Sequence, residues 1–355
     1  MSKFFSDRFA ALTPYTPGEQ PQERTYIKLN TNESPFPPSP AVVSAVAQEA
    51  KRLQLYSDPE STTVTDALAA RYHVKREQVL VGNGSDELLN FAFMAYCDET
   101  HPALFADITY GFYPVFAEIN HLPYIEVPLH EDMSLDPEDY TSLNGTVFIA
   151  NPNAPTGLAL SRAVIEEMLK IRPDRIHVID EAYVDFGAES VLPLVDRYDN
   201  LLVIQTFSKS RSMAGARLGF AIGRPELIRD LNTLKYSTNP YNVNRMTSAA
   251  GVAALQEDDY YAGNAAVIQE NRAWTMGELR KLGFEVTDSM SNFLFARSDR
   301  INGDALYRSL KERGILVRHF DRPRISDYVR VTVGTRDQME AFILKTTEIL
   351  QEVAE

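Results

Sequence analysis

The sequence predicts an α/β fold in which helices flank a mostly parallel sheet, followed by a smaller α+β domain. Short apolar runs alternate with helical stretches over the first two thirds of the chain, which favours crossover connections between parallel strands. Polar residues follow several of these runs directly, at the sheet edge where such folds bind their ligands. After about Pro240 the alternation ends, which indicates a second domain.

The elements follow from local pattern. Residues 1–40 are rich in Pro and Asn without a period, so we expect an extended arm there. Helical spacing of apolar residues predicts a helix over residues 41–55. The predicted strands of the large domain, residues 41–239, are Val79–Val81, Ala103–Ala106, Thr146–Ala150, His177–Ile179 and Leu201–Ile204.

The last third of the chain has a different pattern. A long helical region is predicted over residues 249–282, followed by strand candidates at Phe293–Phe295 and Val329–Val333. These elements predict a small domain over residues 240–355, with the amino-terminal arm packed on or near it.

Composition narrows the possible partners. The net charge of −14 over 355 residues disfavours nucleic acid and anionic membrane surfaces as partners, but permits a small anionic substrate held by a local cluster of arginines. The single cysteine, Cys97, excludes an internal disulfide framework and fits a reducing compartment. No apolar stretch has the length of a membrane span, so we expect a cytoplasmic protein. The six histidines show no metal-ligand spacing, so no metal is expected.

Two polar turns follow predicted strands. Gly84-Ser85-Asp86 offers backbone N–H groups, a hydroxyl and a helix amino terminus, which suit an anion, although such turns also serve as helix caps. Asp180 follows an apolar strand, where a carboxylate is costly without a cationic partner. The alternative for Asp180 is an N-cap of the next helix.

The stretch "TFSKSRSMAGARLGF" (206–220) contains the most specific candidate, Lys209. A buried lysine has a lowered pKa, which supplies a free amine that attacks a carbonyl. Thr206, Ser208 and Arg217 are suited to hold a phosphate beside it. The alternative is a solvated loop lysine, which does not explain the surrounding small and hydroxyl residues.

These motifs together resemble a known family. "NPNAPTG" (151–157), "DEAYVDF" (180–186) and "TFSKSRSMAGARLGF" are similar to the signature of the fold-type-I pyridoxal-phosphate aminotransferases. "KLNTNESPFPPSP" (28–40), "YSDP" (56–59), "GNGSDE" (82–87), "PYNVN" (240–244), "GILVRHF" (314–320) and "VRVTVGT" (329–335) narrow the resemblance to the histidinol-phosphate aminotransferases. The resemblance covers nearly the whole chain.

The resemblance implies pyridoxal 5'-phosphate as cofactor and assigns residues to it. Lys209 would carry the cofactor and shuttle a proton, and Asp180 would pair with the pyridinium nitrogen. Tyr183 would hydrogen-bond the phenolate oxygen, and Tyr110 would stack on the ring. The remaining contacts, all to the phosphate, would come from the backbone of Ser85 and Asp86, from Thr206, Ser208 and Arg217, and, from the neighbouring subunit of a homodimer, Tyr56. The arm would pack on the small domain or on that neighbouring subunit.

For the substrate, the resemblance points to Arg330, Arg318 and Tyr15, which would hold a phosphate group. Surface salt bridges are the alternative for both arginines. The implied reaction is transamination of histidinol phosphate with 2-oxoglutarate, giving imidazole-acetol phosphate and glutamate. An aromatic aminotransferase or a threonine-phosphate decarboxylase of the same fold remains an alternative, and a non-catalytic cofactor-binding protein is disfavoured because Lys209 and Asp180 are both present.

One position departs from the family pattern. The residue before Pro155 is usually asparagine, whose amide contacts the phenolate oxygen, but here it is Ala154. Either Tyr183 serves that oxygen alone, or Asn151 or Asn153 replaces the missing amide. We expect a raised pKa of the lysine–cofactor group, because a lost donor to the phenolate oxygen favours retention of the proton.

Overall fold

The computed structural model describes residues 2–354, with a seven-stranded sheet between two layers of helix. The strands are β1 Ile27–Lys28, β2 Val79–Gly82, β3 Ala103–Ala106, β4 Tyr124–Val127, β5 Thr146–Ala150, β6 His177–Asp180, β7 Leu201–Thr206, β8 Gly219–Gly223, β9 Glu285–Val286, β10 Phe293–Arg297, β11 Ile315–Leu316, β12 Arg318–His319 and β13 Tyr328–Thr332. The helices are α1 Pro40–Ala50, α2 Thr62–Tyr72, α3 Ser85–Tyr96, α4 Tyr113–Ile119, α5 Arg162–Ile171, α6 Pro225–Thr238, α7 Arg245–Leu255, α8 Asp258–Lys281, α9 Gly303–Glu312 and α10 Arg336–Ala354.

The large sheet has the strand order β2-β8-β7-β6-β5-β3-β4. All neighbouring pairs are parallel except those of β8, which runs antiparallel to both β2 and β7. β5, β6 and β7 are buried along their full length, as expected of central strands covered by helices on both faces. The predicted fold class, a mostly parallel sheet flanked by helices, is confirmed.

A second sheet of four strands, in the order β12-β13-β10-β9, is entirely antiparallel. Its core contains Phe293, Val331 and Phe342. The arm joins this region, because β1 pairs in parallel with β11 and Leu29 is buried in the same core.

The long helical region predicted over residues 249–282 is helical in the structure, but it consists of two helices, α7 and α8, with a break that the sequence pattern did not predict. α7 packs against α1 and α2 in the core of the large sheet, whereas α8 packs against α10 and β9 of the small region. The break at Gln256 and Glu257 lets each helix bury its apolar face in a different core. Residues on both sides of position 240 therefore share the large core, and the predicted domain boundary there stays a prediction.

Cys97 is buried in an apolar cluster, and burial raises the pKa of its thiol to about 12. Its chemistry is therefore that of a small apolar residue. Within residues 2–354, no helix combines the length and the apolar character needed to cross a bilayer.

Candidate active site

Two adjoining cavities open at the edge of the large sheet where β2, β6 and β7 end. Their volumes are about 150 Å³ and about 610 Å³. Thr31, Tyr110, Ala154, Tyr183 and Lys209 line both cavities, so the two form one continuous site.

The smaller cavity brings together the side chains predicted to bind the cofactor, apart from Tyr56. Its lining includes Ser85, Asp86, Tyr110, Asp180, Tyr183, Thr206, Ser208, Lys209 and Arg217. Tyr56 lies elsewhere, 80% exposed and stacked on Tyr241 with ring centroids 4.7 Å apart. The larger cavity brings together Tyr15, Arg318 and Arg330, the predicted substrate residues.

One end of the smaller cavity is suited to an anion. Helix α3 begins at Ser85, and Arg217 lies against its first turn in an ion pair with Asp86 at 2.8 Å. A Cβ atom at Gly84 would lie 2.5 Å from Nη2 of Arg217, so glycine permits this close approach. The N-cap residue of α3 is Gly84, so no side chain caps the helix, and the Asp86 carboxylate accepts hydrogen bonds from Arg217 and Tyr110.

The smaller cavity is also lined by Asp180, the last residue of β6, which is buried. Its carboxylate accepts hydrogen bonds from the Tyr113 hydroxyl at 3.2 Å and from the Ala182 N–H at 3.1 Å. Burial raises the pKa of Asp180 to about 7, against the opposing effects of these two bonds and of the Lys209 charge. In the part of the chain that the structure describes, no ion pair joins Asp180 to a cation.

Asp180 is not an N-cap in this structure, because the N-cap position of the following 3₁₀ turn, Val184–Phe186, is occupied by Tyr183. A buried carboxylate without a cationic partner suits a ligand that brings its own positive charge. The protonated ring nitrogen of pyridoxal 5'-phosphate is such a group, and the hydroxyls of Thr206 and Ser208, 3.0 Å apart, stand with Arg217 at the anion end. The residues present therefore fit that cofactor.

Lys209 lies between the two cavities on the loop that joins β7 to β8. Its Nζ atom is 5.6 Å from the ring centroid of Tyr183. The sequence predicted a buried lysine, but Lys209 is half-buried, because its side chain lines the cavity. Within residues 2–354, Nζ makes no hydrogen bond or ion pair.

Arg330 forms the centre of the larger cavity. Its guanidinium carbon lies 5.3 Å from the Phe293 ring centroid and 5.5 Å from that of Phe320. Nη2 donates a hydrogen bond to the Asn30 carbonyl at 3.2 Å, and Nε is buried without a partner. No carboxylate pairs with Arg330 among the described residues, so the surface salt bridge considered for it is not present.

Arg318 and Tyr15 connect this cavity to the arm. The guanidinium of Arg318 donates to the carbonyls of Pro17 at 3.1 Å and Thr16 at 2.8 Å. Tyr15 stacks on Phe112 with ring centroids 4.4 Å apart. Arg318 thus fastens the arm over the cavity, a role that the sequence pattern did not predict, and among residues 2–354 it has no carboxylate partner.

The asparagines near Ala154 do not replace the side-chain amide that the family usually has at position 154. The amide of Asn151 bonds to the N–H and C=O of Leu160, and that of Asn153 donates to Ile108 and Thr156. Both side chains are engaged in holding the loop. The alternative in which Asn151 or Asn153 replaces the usual asparagine has no support in this geometry.

Sequence reasoning missed two residues next to the site, Tyr113 and Asn32. Tyr113 donates to Asp180, and its signal was the second tyrosine of "YGFY" (110–113). Asn32 donates to the Tyr183 hydroxyl at 3.0 Å. Its signal was an asparagine in a turn-rich segment, where this residue type tolerates the positive φ of 55° that it adopts.

Fold and site together place a lysine amine in one cavity with a helix amino terminus that is suited to an anion. A family model described as aminotransferase class I and II matches residues 24–345. The chain belongs to this family, whose members depend on pyridoxal 5'-phosphate, and within it to the histidinol-phosphate aminotransferases.

The narrower family is shown by relatives that match over the whole chain. Histidinol-phosphate aminotransferase 1 of Bradyrhizobium diazoefficiens is 48% identical over 353 residues, 99% of this chain and 100% of that protein. Histidinol-phosphate aminotransferase of Brachyspira hyodysenteriae is 45% identical with the same coverage. The solved structure of histidinol-phosphate aminotransferase from Sinorhizobium meliloti, in complex with pyridoxal-5'-phosphate, shares the fold with a TM-score of 0.89 at 22% identity, covering 99% of both chains.

Proposed function

We propose that the protein catalyses pyridoxal-phosphate-dependent transamination of histidinol phosphate with 2-oxoglutarate, giving imidazole-acetol phosphate and glutamate, as a step of histidine synthesis. The observation that carries this proposal is Arg330, a cation enclosed by aromatic rings, with a buried Nε atom lacking a partner, in the cavity that Lys209 also lines. A half-buried cation of this kind is stabilised by an anionic ligand. The names of the full-length relatives support the same substrate.

The cofactor, when bound, supplies a carbonyl that an amine attacks and a ring that accepts the electrons of a broken C–H bond. Lys209 would hold it through Nζ and then take the proton from the α-carbon of the substrate. Asp180 would keep the ring nitrogen protonated, and Tyr183 would donate to the phenolate oxygen. Arg217, the α3 N–H groups and the two hydroxyls of Thr206 and Ser208 would hold the cofactor's phosphate, while Tyr110 would stack on its ring.

On the substrate side, Arg330 would bind the phosphate of histidinol phosphate and, in the other half-reaction, a carboxylate of glutamate. Arg318 and Tyr15 would close the cavity over it from the arm. Because the two substrates use one cavity in turn, ping-pong kinetics are expected.

A single-turnover experiment tests the substrate. The cofactor-loaded enzyme is mixed separately with histidinol phosphate, histidinol and phenylalanine at equal concentration, and the visible absorbance of the bound cofactor is followed. Fast bleaching by histidinol phosphate alone is expected, because only that compound carries the phosphate for Arg330. In the Arg330→Met variant the three rates should converge.

Equal or faster bleaching by phenylalanine would contradict this substrate and move the protein to the aromatic aminotransferases. Equal bleaching by histidinol and histidinol phosphate would remove the phosphate-binding role from Arg330 while leaving that of Lys209 intact.

We also propose a homodimer in which Tyr56 contacts the cofactor phosphate of the partner subunit. In support, Tyr56 lines neither cavity of its own chain and is 80% exposed. Val43, Leu53 and Leu55 are also exposed apolar side chains nearby in sequence. Large exposed apolar surface of this kind is typical of an interface.

Mixing two inactive variants tests this arrangement. In a heterodimer of Tyr56→Ala and Lys209→Ala chains, one site would combine Lys209 of the first chain with Tyr56 of the second. Random pairing would therefore restore about one site in four. No recovery on mixing, or sedimentation as a monomer, would refute the shared site.

The remaining proposals concern organisation and location. A large domain over residues 41–239 would hold the cofactor, residues 240–355 would form the small domain, and the enzyme would act in the cytoplasm. Limited proteolysis should cut near position 240 if the boundary lies there. Protection of that segment, or recovery of the protein with the membrane fraction, would contradict these proposals.

A further inference from the structure

Asn32 is a buried side chain, 1% exposed, in the segment that follows β1. Its Nδ2 atom donates a hydrogen bond to the Tyr183 hydroxyl at 3.0 Å. Two side chains of the small region fix it: Thr332 bonds to its Oδ1 and its backbone N–H, and Asn292 donates to its carbonyl at 3.0 Å. Asn32 therefore joins Tyr183 to the strand that carries Arg330.

The bonding pattern fixes which way the amide of Asn32 points. The Oγ1 atom of Thr332 accepts the backbone N–H of Asn32 at 2.9 Å, so its own single proton is available to the Oδ1 atom of Asn32 at 3.1 Å. Oδ1 is thereby the acceptor, and the NH₂ group must face Tyr183.

The polarity of this bond decides what the hydroxyl of Tyr183 can do. Because an amide NH₂ group only donates, the hydroxyl oxygen accepts and its proton remains available for another acceptor. Within residues 2–354, Tyr183 donates to no protein atom, and it lines both cavities beside Lys209. The proton is thus held for a ligand.

The loop around Ala154 supplies no side-chain amide that could donate in place of the Tyr183 hydroxyl. Ala154 provides no side-chain amide to the site, and the side-chain amides of Asn151 and Asn153 are already bonded to Leu160, Ile108 and Thr156. None of these three side chains donates into the cavity, which leaves Tyr183 to donate to an anionic oxygen there.

Resting on the function proposed above, we propose that Asn32 is a positioning residue that holds Tyr183 as a hydrogen-bond donor to the phenolate oxygen of the cofactor. It does so by occupying the hydroxyl oxygen of Tyr183 with its own N–H, which directs the tyrosine proton into the cavity. Tyr183 thus donates to the phenolate oxygen, for which Ala154 offers no side-chain donor.

Asn32→Asp tests the polarity, because a carboxylate is nearly isosteric, tolerates the positive φ and accepts where the amide donates. Tyr183 would then donate to the carboxylate and be lost to the cofactor. In the loaded enzyme, the pKa read from the pH titration of visible absorbance should rise by about one unit, because a phenolate oxygen with fewer donors holds the proton on Nζ of Lys209 more tightly.

Two further variants separate positioning from general loosening. Tyr183→Phe should give a similar rise, and adding Asn32→Asp to it should change nothing more. Asn292→Ala, which loosens the same backbone segment without touching Tyr183, should leave the titration unchanged.

An unchanged titration in Asn32→Asp would overturn the proposal, and so would an equal rise in Asn292→Ala or an additive rise in the double variant. Failure of the proposed function is distinct, because it would show in the wild-type enzyme itself, either as bleaching by phenylalanine that equals or exceeds bleaching by histidinol phosphate, or as no bleaching by any amino donor.

Discussion

The two cavities of the site leave opposite charges without a protein partner. On the cofactor side Arg217 is paired with Asp86, and the uncompensated group is the carboxyl of Asp180. On the substrate side the uncompensated group is the guanidinium of Arg330, which is held by aromatic rings and one backbone carbonyl. The charge that each cavity lacks is the charge its ligand should bring: a cation for Asp180 and an anion for Arg330.

Removing the residue between the two cavities should have the largest effect. Lys209→Ala should lower kcat/KM for histidinol phosphate by about 10⁴-fold or more, since both the attachment point and the proton carrier are lost. Steady-state kinetics measures this, with the exposed Lys170→Ala as control, for which a change under about twofold is expected. A Lys209→Ala enzyme within tenfold of wild type would exclude the lysine chemistry.

The next largest effect should come from the uncompensated cation. Arg330→Met should lower kcat/KM for histidinol phosphate by about 10²–10³-fold. Arg318→Met should cost only about tenfold, because both of its Nη atoms already donate to the arm. Initial rates over a range of substrate concentrations measure both, and a larger loss for Arg318→Met than for Arg330→Met would reverse the assignment.

The unpaired carboxyl of Asp180 should make the free energy of unfolding of the cofactor-free protein depend on pH. The folded pKa of Asp180, about 7, lies above its ordinary value of 3.8, so the folded state holds a proton that the unfolded chain releases. Stability should therefore be greater at pH 5 and fall as pH rises toward 7. Asp180→Asn should remove a fall of about 2–3 kcal/mol between pH 5 and pH 8, measured by denaturant unfolding.

Glu181 provides a matched comparison for that measurement. Burial also raises its pKa to about 7, but it accepts bonds from Ser190, Val191 and Gln205 and lines neither cavity. Adding the cofactor should abolish the part of the pH dependence of stability that is due to Asp180. The part due to Glu181, which Glu181→Gln removes, should remain. Persistence of the Asp180 slope in the loaded enzyme would contradict its pairing with the ring nitrogen.

The smallest expected effect concerns Ala154, which is buried at the border of the two cavities. Ala154→Asn should lower the pKa of the bound cofactor's visible titration by about half to one unit, because a new amide donor stabilises the phenolate oxygen. Ala154→Val adds bulk without a donor and should not lower it. Identical titrations of wild type and Ala154→Asn would refute the loss of a donor at this position.

The cofactor side was the more predictable half of the site. Asp180 ends β6 and Lys209 follows β7 by three residues, and the carboxyl ends of parallel strands meet at one edge, so local pattern was enough to bring them together. The strands Ala103–Ala106 and Thr146–Ala150 have the bounds that their apolar runs predicted. Short-range periodicity carries this information because a buried strand needs an apolar residue at every position.

The substrate side and the links between cores were not predictable in the same way. Asn32 and Thr332 bond across 300 residues, and Arg318 donates to arm carbonyls 301 and 302 residues away. Such contacts depend on how two cores pack together, which no local period records. The break between α7 and α8 was missed for the same reason, because apolar spacing does not say which core a helix faces.

The antiparallel strand β8 has a consequence for insertions and deletions. A parallel crossover would carry the chain away from the site, but β8 starts at the edge where β7 ends, so residues 207–218 never leave it. Lys209 and Arg217, eight positions apart in this loop, would hold two groups of one ligand, the carbonyl carbon and the phosphate of the cofactor. The length of this loop sets the distance between Lys209 and Arg217. Insertions or deletions should therefore be tolerated far less here than in the crossovers on the far edge of the sheet.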